Sequence, residues 1–124
     1  MGPFDMTKAR ENLKKRREEA AKERKELFYK AEDDCKAIIQ MIIEHFNPAR
    51  IYQWGSLLNK EMFTDYSDID IALEGMGPIE DVIELERRAE KMTDFPLDII
   101  ELEKVPAAHA DTIRLKGICV YERK

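Results

Sequence analysis

Between Leu27 and Phe46 the apolar residues Leu27, Phe28, Ala31, Cys35, Ile38, Ile39, Ile42 and Phe46 recur at steps of three and four. That period belongs to an α-helix with one broad apolar face, and such a face has to be covered. Asn47-Pro48 ends the run, because the residue before a proline is pushed out of the helical region. Short apolar runs then alternate with helical patterns. Ile51 to Trp54 reads as a strand, which Gly55-Ser56 breaks. Ser56 can cap a short helix through Leu57 to Glu61, and Phe63 to Ser67 reads as a loop. Ile69 to Leu73 is a second strand, closed by EGMGP. Ile79 to Met92 is a helix whose expected apolar positions are Ile79, Val82, Ile83, Leu85, Ala89 and Met92. FPLDIIEL is a third strand, Pro106 opens a helix to about Lys116, Gly117 ends it, and ICVY is a fourth strand. The order predicts an α+β (α/β-like) fold, a small mixed sheet with helices packed on it.

Before Leu27 the chain is different. TKARENLKKRREEAAKERKE is dense in charge, with opposite charges at helical spacing such as Glu11 with Lys15 and Glu18 with Lys22. Asp5 or Thr7 can cap its start. Leu13, Ala20 and Leu27 make only a thin seam, so a solvated helix is favoured over a docking arm for a partner helix. The expected division is a charged helical extension over residues 1–30 and one domain over residues 31–124.

The net charge of -5 disfavours a general nucleic-acid binder, which carries a basic surface. No apolar run approaches a membrane span, and no signal-peptide core opens the chain, so a cytoplasmic protein is expected. Cys35 and Cys119 both sit among apolar neighbours and read as reduced, buried thiols. His45 and His109 share no metal-ligand spacing and read as ordinary helix residues.

Two carboxylates in the second strand work against the strand itself. Asp68 and Asp70 share one strand face, while Ile69 and Ile71 point to the other. Like charges side by side repel, unless a cation lies between them. Oxygen ligands of this kind suit magnesium. Asp98, between Leu97 and Ile99 in the third strand, supplies a third carboxylate. Two cations about 4 Å apart on such a set stabilise both the attacking and the leaving oxygen of a phosphoryl displacement. Glycine at position 55 lets a backbone approach a phosphate, and the Ser56 hydroxyl with the free N–H groups of a helix start makes an anion site. Trp54 and Tyr66 have rings able to stack on a base, although packing is the favoured role, and Asp65 reads as a solvated loop residue.

The combination WGSLLNKEMFTDYSDIDIAL with PLDII resembles the nucleotidyltransferases of the DNA polymerase β-like superfamily. The short length is similar to the minimal nucleotidyltransferases, often antitoxin partners of HEPN-domain proteins. The resemblance runs from about Ile38 to Tyr121 and implies that fold's palm, preceded here by a long N-terminal helix. It implies Asp68, Asp70 and Asp98 as ligands of two magnesium ions, with Asp98 also helping to activate the incoming hydroxyl. It implies Gly55 and Ser56 as the triphosphate cradle, with Lys60 the nearby cation. Many relatives follow the Gly-Ser with Arg-x-Arg-Gly, whereas here Leu57 and Asn59 stand at the arginine positions.

The function expected is transfer of a nucleoside monophosphate, AMP from ATP, to a hydroxyl of a partner protein of the HEPN kind. The alternative is an antitoxin or binding module that neutralises its partner by contact. A chain this short covers one side of its site, so a partner or a homodimer should supply the rest. Small-molecule transfer and polymerase or tRNA-tailing work are disfavoured by size, the latter by acidity as well.

Overall fold

A computed structural model describes residues 5–61, 63–64 and 67–124, so the expectations for Asp65 and Tyr66 lie outside the described residues. Helix α1 (Met6–His45) leads into strand β1 (Arg50–Trp54) and a 3-10 turn (Gly55–Leu58). Strand β2 (Ile69–Glu74), helix α2 (Ile79–Glu90) and strand β3 (Leu97–Glu101) follow. A second 3-10 turn (Leu102–Lys104), helix α3 (Ala107–Lys116) and strand β4 (Ile118–Glu122) complete the order. The strands lie in the order β3-β2-β1-β4. β1 is antiparallel to β2 and β4, and β2 is parallel to β3 through the α2 crossover. This is the mixed sheet and α+β architecture that the sequence predicts.

Strand alternation divides the core in two. Ile51, Ile69, Ile71 and Leu73 meet Phe28, Ala31, Cys35, Ile38 and Ile42 of α1 and Leu85 and Ala89 of α2. On the opposite face Tyr52 and Ala72 meet Leu102 and, from α3, Ala110 and Ile113. Burial of these side chains is what holds helices to sheet, at about 1.5–3 kcal/mol for each large one.

The charged segment and the amphipathic segment form one unbroken helix. Asp5 caps it, its carboxylate accepting from the N–H groups of Thr7 and Lys8. Asn47 turns the chain with φ +46° after Phe46. Leu13 is 48% exposed, and among the described residues no ion pair involves any side chain before Lys30, so the pairings of Glu11 with Lys15 and Glu18 with Lys22 are not closed. The segment before Leu27 is thus a solvated helix.

Two expectations about burial need correction. Ile79 and Ile83 are 58% and 60% exposed. At about 100° per residue they fall to one side of the stripe formed by Val82, Leu85 and Ala89. Cys119 is exposed, unlike Cys35, because β4 is an edge strand paired only with β1. Among the described residues no helix is long and apolar enough to cross a membrane.

Candidate active site

The end of β1 and the starts of β2 and β3 meet at one end of the sheet. Asp70 stands opposite Asp98 in the parallel register and opposite Trp54 in the antiparallel one. Asp98 is therefore one strand spacing, about 4.8 Å, from Asp70 along the sheet. Asp68 immediately precedes β2, two positions before Asp70. Among the described residues none of the three carboxylates has an ion-pair partner. The consequence falls on Asp70, whose pKa is pushed up from 3.8 to about 7 by burial first, then by the charge of Asp98, then by that of Asp68.

Gly55 belongs to the same cluster, for a reason the sequence reading missed. Its φ is +82°, and a Cβ there would come within 2.0 Å of Asp70 Oδ2. Glycine is required both for the left-handed turn and because the Asp70 carboxylate occupies the space of a side chain. That turn also starts the 3-10 helix at Gly55 rather than after Ser56. Ser56 therefore does not cap it: no side-chain cap hydrogen bond forms, and the helix stops at Leu58, short of the expected Glu61.

Leu57 is 2% exposed and packs into the α1 side of the core. Lys60 turns toward α1. Its Nζ donates to the Tyr29 hydroxyl at 2.6 Å and sits 4.6 Å from the centre of that ring. Trp54 packs edge-on to His109 at 5.7 Å between ring centres, and its Nε1 is buried without a hydrogen-bond partner among the described residues.

Sequence reading also missed the acidic wall beside Asp98. A hollow of about 240 Å³ is lined by Glu86, Glu90, Leu97, Asp98 and Ile99. The Glu86 carboxyl is pushed up by burial and by Glu90, Glu101 and Asp98. The available signal was the four-residue spacing of Glu86 and Glu90 on α2, which puts both on one face.

Among the described residues no three His, Cys, Asp or Glu side chains stand so as to enclose one ion. The chemistry of the donor set still suits a hard divalent cation. All the donors are carboxylate oxygens, none is paired with Lys or Arg among the described residues, and the Asp70 carboxyl, raised first by burial, is raised further by Asp98 and Asp68, a like-charge contribution that a cation relieves. Asp68, Asp70 and Asp98 are the residues able to hold it.

The family model for polymerase beta nucleotidyltransferases matches residues 36–124, which is more than half of the chain and includes all four strands and all three carboxylates. None of the curated proteins compared matches the chain. The chain belongs to the polymerase beta nucleotidyltransferase family.

Proposed function

We propose that the protein is a magnesium-dependent nucleotidyltransferase that moves AMP from ATP to a hydroxyl of a partner protein, of the HEPN kind. The observation that carries this reading is the meeting of Asp70, Asp98 and Gly55 at one sheet end, with Asp68 adding its charge. Gly55 and Ser56 would border the triphosphate, and Lys60 follows Ser56 by four positions. Magnesium held by Asp68, Asp70 and Asp98 supplies charge neutralisation at the attacking and leaving oxygens. Asp98, at the start of an edge strand, takes the proton of the incoming hydroxyl. The acceptor oxygen bonds to the α-phosphorus, the bond to the β-phosphate oxygen breaks, and pyrophosphate leaves. The open side of the site is completed by the partner or by a second copy.

A second reading has one observation in its favour. With Leu57 in the core and Asn59 uncharged, the two arginine positions of the relatives contribute no cation. The chain then acts by contact on its partner, as a neutralising subunit with little transfer activity.

Incubation with α-labelled ATP and magnesium, alone and with the product of the neighbouring reading frame, tests both. Label on protein that disappears in Asp68→Asn/Asp70→Asn upholds transfer. A stable complex with no label at all overturns transfer and upholds action by contact.

A further inference from the structure

The carboxylates and α3 share one face of the sheet. Tyr52, Ala72 and Ile100 belong to the cluster that meets α3. Alternation along β1, β2 and β3 turns Trp54, Asp70 and Asp98 the same way. Trp54 stands directly opposite Asp70 in the β1–β2 register, which sets the two Cβ atoms about 5 Å apart. Gly55 follows Trp54, and the Asp70 carboxylate fills the space where its side chain would stand.

On this same face a hollow of about 370 Å³ opens between the end of β1 and α3. Trp54, Gly55, Leu58 and Ile113 wall it. His109, Thr112 and Lys116 stand at its rim, exposed, on the one flank of α3 that their three- and four-residue spacing defines. None of these seven residues is acidic. The edge-on contact with His109 at 5.7 Å holds the Trp54 indole in place. A concave space with apolar walls, an aromatic ring and a few polar groups at its rim is of the kind that takes a small organic ligand. A ring in the wall favours a flat ligand, and nucleobases stack on aromatic side chains whatever their identity. The hollow on the β3 side of the carboxylates differs on each count: Glu86, Glu90 and Asp98 line it, and no ring does.

We infer that the hollow between β1 and α3 is a nucleoside subsite, in which the base of the nucleotide lies against the Trp54 indole while its α-phosphate stands at the carboxylates. This rests on the nucleotidyltransferase reading and assigns that site its nucleoside end. Reach supports it: one ribose separates base from α-phosphate in a nucleotide, and one residue, Gly55, lines the hollow and touches Asp70. Trp54 thus both packs and faces the ligand. With the base on the β1 side, the β3 side next to Asp98 stays open to the incoming hydroxyl.

Trp54 is the one tryptophan of the chain, so its fluorescence reports on the hollow directly. Titration of the full chain with adenosine should quench that emission, whereas inorganic tripolyphosphate should leave it unchanged. Thr112→Phe fills the hollow from an exposed position of α3, and Thr112→Gln does so with a better helix former. Each should weaken adenosine binding by at least about tenfold, within the range for losing one base–aromatic stack. Leu115→Phe changes a side chain on the same helix that is 83% exposed and outside the hollow, and should alter affinity less than about twofold, as surface substitutions do. Circular dichroism checks the fold of all three. No adenosine binding by the parent, an equal response to tripolyphosphate, no weakening at position 112, or equal weakening at positions 112 and 115 each overturns the subsite. Transfer from labelled ATP is read separately. Transfer lost in Asp70→Asn, with the KM for ATP unchanged in both position-112 variants, removes the subsite and leaves the enzyme reading standing. Adenosine binding weakened at position 112, with no transfer by the parent under any condition, upholds the subsite and removes the enzyme reading.

Discussion

The two ends of β2 place the same chemical group in opposite surroundings. Asp70, Ala72 and Glu74 alternate onto one face of the strand. At the Glu74 end, Arg50 of β1 donates to Oε1 at 2.6 Å and Arg114 of α3 to Oε2 at 3.2 Å. Arg50 also reaches Glu122 of β4 at 3.3 Å, so one network ties three strands and a helix together. At the Asp70 end, no arginine or lysine answers among the described residues, and two further aspartates add their charge. A carboxylate that only holds a fold together is matched with cations of the chain itself. One left unmatched beside its own kind is open to a cation from solution. The contrast lies within one strand, so differences in strand geometry do not account for it.

Substitutions can break that contrast at either end. The largest effect is expected at Asp70 or Asp98: replacement by Asn should lower label transfer by at least about a thousandfold, the upper range for losing one preorganised electrostatic group. Transfer within tenfold of the parent would remove these residues from the chemistry. Gly55→Ala comes next. The left-handed turn alone costs about 1–2 kcal/mol for alanine, and the new methyl must displace the Asp70 carboxylate. Both the urea midpoint and transfer should fall, and an unchanged midpoint would show that the close approach is dispensable. Glu74→Gln should do the reverse of Asp70→Asn. It leaves Arg50 and Arg114 without their shared partner, costing about 1–3 kcal/mol in denaturant unfolding, while transfer per folded molecule stays at the parent level.

The smallest effect is a slope with pH. The folded chain keeps the Asp70 proton up to about pH 7, whereas the ordinary group releases it near 3.8. Without divalent cations, stability therefore falls as pH rises from about 4 to 7 and levels off above that. With the group half-exposed and screened, the total drop is about 1 kcal/mol. Asp70→Asn should flatten it, making the inactive variant the more stable one at pH 8. Magnesium should restore stability at pH 8 to the parent and not to the variant. A parent curve that is flat between pH 4 and 7 would show that neither burial nor the neighbouring aspartates hold a proton on Asp70.

How much of this is legible in the sequence depends on range. Alternation along a strand is local, so the facing of Asp70 and Asp98 follows from IDIAL and PLDII alone. Their pairing does not, because the α2 crossover sets the register between β2 and β3. The same limit explains Ser56. Its propensity to cap is real, but Gly55 meets Asp70 fifteen positions away, and the turn starts at Gly55, two residues earlier than expected. At Ile79 and Ile83 hydrophobicity pointed inward, but they lie about 60° and 100° round the helix from Val82, the near edge of the buried stripe, and which arc is buried depends on where the sheet lies. The contact of Lys60 with Tyr29 spans thirty-one positions and leaves no pattern in either neighbourhood.

The continuity of α1 has a geometric consequence. Between Met6 and Phe28, the first buried residue of the helix, lie about 33 Å of axis with no proline or glycine to bend it. The arm is thus a rod with both a length and a bearing. Removing eighteen residues, five full turns, would shorten it by about 27 Å and leave every remaining side chain facing as before. Removing two would shorten it by only about 3 Å, yet swing the tip through about 200°. The tip is therefore held at a fixed reach and a fixed compass direction from the carboxylates, and the chain can adjust one without the other.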